Sequence, residues 1–290
     1  VIMNIRNSEG PSQAVKNQCI GEALTLKALA YFFMVRTFGE VPIIHDNNEV
    51  LTSGKYNEVT KVTKENVYEY IIVTLEKAME LLPKKTSGWD GRIDYYAAEG
   101  LLAKVYLTKA GVTGTLSNDD LTKAAQYAKD VIDNSGRTLT PKFSDIFRLA
   151  PATHNQTGEP MISWLWAAGR DPWTQQNTLQ SDLMGEGFSE TGDLWGGWGG
   201  PSYDLMLAYG ADPLIDPRER ARTETDTRRK STIMMAGDQY EYFWRDKGGF
   251  DLLRYIYDDE YGKGGPDQFQ GPCGGQNCKH LYGNIADHEA

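Results

Sequence analysis

Five of the seven tryptophans fall within one short stretch: Trp164, Trp166, Trp173, Trp195 and Trp198. An indole face stacks on the C–H side of a sugar ring, so aromatic platforms with polar rims suit large, neutral, hydrated ligands that charge alone cannot grip. In "TGDLWGGWGGPSY", glycines around Trp195 and Trp198 let the backbone lie flat and open, and Asp193 and Tyr203 stand by as hydrogen-bond partners for hydroxyls. Trp173 follows "RDP" and precedes the amide-rich "TQQN", which predicts an exposed loop tip with Arg170, Asn177 and Gln180 as polar partners. Trp164 and Trp166 share one face of "PMISWLW", whose alternation predicts an extended segment that turns both indoles to a core. The expected ligand-binding set is therefore Arg170, Trp173, Asn177, Gln180, Asp193, Trp195, Trp198 and Tyr203. The competing use of Trp195 and Trp198 is to plug a seam between two regions of the chain.

Reaction chemistry is harder to place. Glycoside hydrolysis needs two carboxyl groups about 5 to 10 Å apart, and Glu186, Glu190 and Asp193 lie near the tryptophans, but 40 acidic residues make such neighbours common by chance. His45, His154, His280 and His288 sit in no nucleophile motif, and neither Gly-x-Ser-x-Gly nor a Gly-x4-Gly-Lys-Ser/Thr phosphate loop occurs. Cys273, Cys278, His280 and His288 have a spacing foreign to zinc sites, which favours a solvated loop or a small disulfide loop there. Cys19, on an apolar helical face, reads as a buried thiol. Asp216-Pro217-Arg218 reads as a turn with a local ion pair. No catalytic residue, metal ligand or cofactor is assigned.

Bulk properties narrow the partners. A formal charge of −10 over 290 residues repels phosphate backbones, and only Arg228-Arg229-Lys230 runs against it, so nucleic acid is not expected. Even the most apolar stretch, Leu26 to Ile44, is interrupted by Lys27 and Arg36, which argues against a membrane-spanning helix. Val1 to Gly10 lacks the pattern of a secretory signal.

The elements that must position the tryptophans are helices. Thr63 predicts an N-cap, followed by apolar Val67, Ile71, Leu75, Ala78 and Leu82 and stopped by Pro83. Asp94 opens a second helix with Ala98, Leu101, Leu102 and Val105 on one face, closed by Gly111. Ser117 and Asp120 read as a capping box before Leu121, Ala124, Ala125, Ala128, Val131 and Ile132, closed by Gly136. Ahead of these, "LKALAYFFMVRTFGEVPII" is apolar around most of its girth and needs cover on most sides. Gly39 supplies a left-handed cap there, and Pro42 keeps Val41 extended. Ala28 with Tyr31, then Ile71, Leu75, Ala78 and Pro83, match the offsets of a tetratricopeptide hairpin; Ala103 with Tyr106, then Ala124, Ala128 and Val131, match a second. Generic amphipathic helices share such offsets. The expected division is a helical region at 1–136 with an ordered insertion at 38–63, and a loop-rich ligand-binding region at 137–290 packed on the helices.

These motifs resemble the SusD-like (SusD/RagB) glycan-binding lipoproteins of the bacterial outer membrane. "EALTLKALAYFFMVRTFGEVPII" is similar to the family's helix leading into Phe-Gly-x-Val-Pro, and "YAAEGLLAKVYLTKAG" to its second signature helix. "YDLMLAYGADPLIDPRERA", with "STIMMAGDQY" after it, is similar to its Asp-Pro-Arg segment. The lipid-bearing cysteine, the early segment and the C-terminal part of the helical array have no counterpart, as expected of an internal piece of a longer protein. The resemblance implies a mainly α fold of tetratricopeptide-like hairpins (an α-α superhelix) with a packed loop-rich second region. It also implies binding without catalysis, a lipid anchor at the cell-surface face of the outer membrane, and glycan delivery to a SusC-like TonB-dependent transporter. The alternatives are a tetratricopeptide-type adaptor that takes a peptide in its groove, and a glycoside hydrolase.

Overall fold

The computed structural model describes residues 1–112, 114–147, 158–163, 201–241, 243–244, 248–258 and 275–279. They fall into two compact units: Val1–Leu139 with Gly158–Ser163, and the remaining described residues from Thr140 on.

The first unit is helical: α1 (Ile2–Asn7), α2 (Gln13–Phe38), α3 (Asn47–Thr52), α4 (Lys64–Leu81), α5 (Tyr95–Lys109) and α6 (Asn118–Asn134). The long helices pack in sequence order, α2 on α4, α4 on α5 and α5 on α6. Helix α4 is central, and Val67, Ile71, Leu75 and Ala78 on it have no exposed surface. The predicted caps form as expected: Thr63 Oγ1 accepts from Asn66 N at 3.3 Å, Asp94 Oδ1 from Ala97 N at 2.9 Å, and Ser117 Oγ from Asp120 N at 3.3 Å. The capping box does not close, because the Asp120 carboxylate instead accepts from Lys109 Nζ at 2.9 and 3.0 Å and ties α6 to the end of α5. Of the apolar face expected on α6, only Ala124 is buried, and Ile132 is 75% exposed, since α6 has a described helix on one side alone.

Helix α2 shows why its residues are so uniformly apolar. At 26 residues it is, against the expectation from Lys27 and Arg36, long and apolar enough to cross a membrane by length and composition. Its apolar side is occupied, however: Ala28, Tyr31, Phe32 and Val35 are buried in the core shared with α4 and α5. The helix ends at Gly39, whose φ of 75° is positive as predicted, while its ψ of −115° lies outside the left-handed helical basin. Val41 then accepts from Val62 N at 3.1 Å, and Tyr31 Oη accepts from Ile44 N at 2.9 Å. These bonds close the base of the insertion, which contains α3 and a 3-10 turn at Lys55–Glu58. Cys19 is only half-buried, and Arg92 Nη2 donates to its sulfur at 3.6 Å while clamping Glu22.

One charged pair is sealed inside this unit. Arg137 Nη2 donates to Asp94 Oδ2 at 2.7 Å, with 7% and 0% of the two side chains exposed, and the guanidinium lies 5.2 Å from the Trp89 ring centroid. The neighbouring Gly136 has φ 69°, and a Cβ there would stand 2.3 Å from the Thr86 carbonyl oxygen. Only glycine fits that close approach.

Among the described residues, the second unit is built of short pieces. After a 3-10 turn at Phe143–Phe147 come α7 (Tyr203–Ala208), α8 (Pro217–Thr223), α9 (Arg229–Thr232) and α10 (Leu252–Tyr257). Strand β1 (Ile233–Met235) pairs antiparallel with β4 (Gly275–Asn277), and β2 (Gln239–Tyr240) with β3 (Phe250–Asp251). Strand alternation makes β1 a partition: Ile233 and Met235 join Met206 and Ala211, while Met234 joins Tyr240, Phe243, Trp244, Phe250, Leu252, Tyr255 and Cys278. The Cys278 thiol donates to the Lys230 carbonyl at 3.2 Å; Cys273, His280 and His288 lie outside the described residues. Pro160 to Ser163 forms bends in place of the expected strand, and Met161 packs on the helical core, with its methyl against Gly100.

Removing Arg137 leaves the Asp94 carboxylate buried without its partner, and breaking such pairs costs about 3–5 kcal/mol. Arg137→Leu is therefore expected to lower the unfolding free energy by roughly that amount in urea denaturation, whereas Arg92→Leu, on a half-exposed pair, changes it by less than about 1 kcal/mol.

Candidate functional site

Of the predicted ligand-binding residues, Arg170, Trp173, Asn177, Gln180, Asp193, Trp195 and Trp198 lie outside the described residues, as do Trp164, Trp166, Glu186 and Glu190. Tyr203 is described. It is the first residue of α7, where Ser202 caps the helix by accepting from Leu205 N at 3.2 Å. Its ring is half-buried, and its hydroxyl donates to Asp212 Oδ1 at 3.4 Å. The chain thus returns from the tryptophan-bearing stretch through a buried Pro201 directly into a capped helix, with Met206 anchored in the core.

Two buried arginines organise the chain beyond α7. Arg220, on α8, donates to three backbone carbonyls: Ala236 at 2.8 Å, Ile215 at 3.2 Å and Asp212 at 3.3 Å. It therefore joins the Tyr203–Asp212 turn to the end of β1. Burial lowers its pKa from the ordinary value, opposed by the charges of Asp238 and Glu224. Arg229 opens α9 and bridges Glu224 and Asp238, donating also to the Ile233 carbonyl at 3.1 Å. Burial works against its charge, but hydrogen bonds and charge from Asp238 and Glu224 hold its pKa above the ordinary value. Asp238 is satisfied further by Met235 N at 2.7 Å and the Tyr240 hydroxyl at 3.0 Å. A guanidinium is suited to this place because its planar fork of donors stays charged and reaches several acceptors at once.

This arrangement explains two segments singled out in the sequence. Asp216-Pro217-Arg218 is a helix start: Asp216 caps α8 by accepting from Arg218 N at 2.9 Å, and Arg218 Nε folds back on the same carboxylate at 2.9 Å. The expected local ion pair forms, with the Arg218 side chain 87% exposed. "STIMMAGDQY" supplies the partition strand and the acid that receives Arg229. Arg220, Glu224 and Arg229 escape sequence reasoning, because the arginine-rich run looks like a solvated face. Their one signal is the buried acid of "AGDQY" that needs a cation. Nothing among these groups resembles a reaction centre, since the buried carboxylates face guanidinium groups. Among the described residues no cluster could hold a metal ion.

Comparison with known proteins places the chain. Residues 3–107 match the SusD-like family described as starch-binding and associating with the outer membrane. A SusD-like protein of Bacteroides ovatus is 34% identical over 247 residues, 82% of this chain and 40% of that one. SusD-like protein P2 of Formosa agariphila is 32% identical over 188 residues, 62% of this chain and 34% of that one. A crystal structure determined with a xylogluco-oligosaccharide superposes with a TM-score of 0.73 at 28% identity, covering 99% of this chain and 50% of that one. The chain spans well under half the length of the two curated relatives.

Replacing Arg229 by Met strands two buried carboxylates, and the loss of a buried ion-pair partner costs about 3–5 kcal/mol. Arg229→Met should therefore unfold the second unit at lower urea concentration, read from hydrogen exchange of the β1 amides, while Arg218→Ala leaves that transition in place. Mainly helical, with helix pairs packed in sequence order and the signature segments on the elements described above, the chain belongs to the SusD-like family over the part it spans.

Proposed function

We propose that this chain is the binding part of a surface nutrient-capture protein that holds oligo- or polysaccharide without catalysis and hands it to a TonB-dependent outer-membrane transporter. One observation carries the reading: over 99% of its length the chain is similar to a protein whose crystal structure was determined with a xylogluco-oligosaccharide. The density of tryptophan between Trp164 and Trp198 supports it independently, because stacking platforms are what a neutral sugar chain requires. The outer-membrane association described for the family supports the place of action, with a lipid anchor and a SusC-like transporter as the partners that the resemblance implies.

In this reading Trp195, Trp198 and Trp173 stack on sugar rings, and Asp193, Tyr203, Arg170, Asn177 and Gln180 hydrogen-bond to hydroxyls. Each hydroxyl exchanges a water bond for a protein bond at a net gain of only about 1 kcal/mol, so affinity rises with the number of rings engaged and longer oligosaccharides bind more tightly than short ones.

The test is affinity electrophoresis of the protein against a panel of polysaccharides that includes xyloglucan and starch. At least one should retard it. An aromatic contact contributes about 0.5–1.5 kcal/mol beyond area burial, so Trp195→Ala with Trp198→Ala is expected to weaken binding about tenfold or more, with an unchanged melting transition. Retardation by no glycan would overturn the function. Equal collapse of binding and melting would instead make these tryptophans core residues.

A further inference from the structure

A short strap from the later half of the chain belongs to the helical unit. Residues 158–163 cluster with Val1–Leu139, whereas the described residues 140–147 before them and 201–241 beyond them belong to the second unit. Two contacts, three residues apart, hold this strap. Gly158 is buried with φ 80°, and a Cβ there would stand 2.9 Å from Trp89 Cζ3. Backbone therefore lies directly on the indole, in a conformation that favours glycine. Met161 packs on the helical core with its thioether against Gly100 of α5, where a Cβ would meet Met161 Cε at 2.7 Å and Sδ at 3.2 Å.

Both contact points are tied to α5. Trp89 holds the Arg137 guanidinium 5.2 Å from its ring centroid, and Arg137 is bound to Asp94, which caps the helix. Gly100 lies within the helix, where glycine is unfavourable relative to alanine by a factor of roughly three in the folding equilibrium constant. Residues 96–99 and 101–103 are buried, but Gly100 is half-buried and shares the outward face of α5 with the exposed Lys104 and Leu107. Among the described residues, apart from its chain neighbours and α5's own backbone, only Met161 stands within 4 Å of that Cβ position. The strap accounts for the glycine.

We propose that Met161 is a positioning residue for the sugar-binding stretch: seated in the gap left by Gly100, it anchors to the helical unit the point from which the tryptophans extend. The inference rests on the reading given above, that those tryptophans bind carbohydrate. Trp164 follows Ser163 directly, so a strap held at Gly158 and Met161 fixes one end of the stretch, while the Ser202 cap and the Tyr203–Asp212 bond fix the other. A chain held at both ends has fewer conformations open to it, and surfaces ordered in advance lose less entropy when a ligand docks. Methionine suits the seat because its unbranched thioether fills a narrow, irregular gap.

The experiment uses the whole chain, as wild type and four variants. Gly100→Leu fills the seat from the helix side, Met161→Ala empties it, and Gly158→Ala strains the backbone on Trp89. Gly100→Leu combined with Met161→Ala exchanges knob and hole. The readouts are NMR of labelled methionine methyls, the rate of tryptic cleavage after Arg170, and retardation in gels containing xyloglucan or starch. In the wild type the Met161 methyl should show a nuclear Overhauser contact to the Gly100 α-protons. Gly100→Leu should shift that methyl to the resonance of an exposed methionine and leave the Met34 and Met79 methyls of the helical core in place. It should also raise cleavage about tenfold and weaken retardation to a similar degree. Met161→Ala and Gly158→Ala should act in the same direction, and the combined variant should recover most of the wild-type behaviour. Absence of the methyl contact in the wild type overturns the proposal, as does a displaced strap that leaves cleavage or retardation at the wild-type value. Should Gly100→Leu disturb Met34 and Met79 as well, Met161→Ala and Gly158→Ala, which leave α5 unaltered, decide. If neither polysaccharide retards the wild type, the carbohydrate reading fails for them, and the methyl contact and the cleavage rate still decide on the anchor.

Discussion

The first unit depends on the complete exclusion of water from one side of α4. A helix of eighteen residues forms few compensated bonds by itself and gains its stability from the apolar face it buries. Here Val67, Ile71, Leu75 and Ala78 give that face a width that α2 alone cannot cover, so α5 must lie on the other flank. Small residues set how close the helices come. Ala28 on α2, Ala78 on α4, and Ala97 with Ala98 on α5 are all buried, and they let backbones approach where leucines would hold them apart. Gly21 makes the same point more sharply, since a Cβ there would meet the Leu82 side chain at 2.7 Å.

Dry interiors make every enclosed charge consequential, and the two units answer this in different ways. In the helical unit Asp94 caps α5 and also receives Arg137, so one carboxylate closes a helix end and holds the chain where it leaves α6. Among the described residues of the second unit, little regular structure is present to satisfy backbone groups. Arg220 takes up three carbonyls, and Arg229 takes up one together with two carboxylates. Hydrogen bonding by guanidinium groups does there what helix and sheet ladders do elsewhere. The strands paired in this unit have two or three residues each, and the turns that join them lean on side chains.

These two solutions differ in how openly the sequence declares them. Caps and apolar faces are local, so Thr63, Asp94 and Ser117, with the residues after them at helical spacing, are legible from the order of residues alone. The fate of Asp120 is not, because a capping box and an ion pair to Lys109 draw on the same residue, and only tertiary packing decides between them. Arg137 finds Asp94 from 43 residues away, and no spacing rule reaches that far. Arg229 is hidden for another reason: in a run of alternating basic and acidic residues it looks like a neighbour of Arg228, yet it is buried while Arg228 stays on the surface. The candidate site is legible only as chemistry. Clustered indoles and flanking glycines point to a ligand class, but which rings face solvent is decided by contacts outside any local pattern.

On the proposed reading, this division of labour suits the ligand. A sugar chain offers many weak, equivalent contacts, and the net gain from each is small enough for protein motion to erase it, so stacking surfaces have to be held by something stiffer than a loop. The helices supply stiffness by burying broad apolar faces, but a helix surface curves away and presents rings one turn apart. Glycine-flanked tryptophans such as Trp195 and Trp198 can lie flat only on irregular backbone. That backbone must then be anchored close to where it ends. Pro201, the Ser202 cap and the Tyr203–Asp212 bond do so at once, and Arg220 fastens the same turn to β1 through the Asp212 and Ala236 carbonyls. On that reading the tryptophan-bearing stretch would supply the platform, and the densely hydrogen-bonded knot directly after it fixes the end of the chain that bears it.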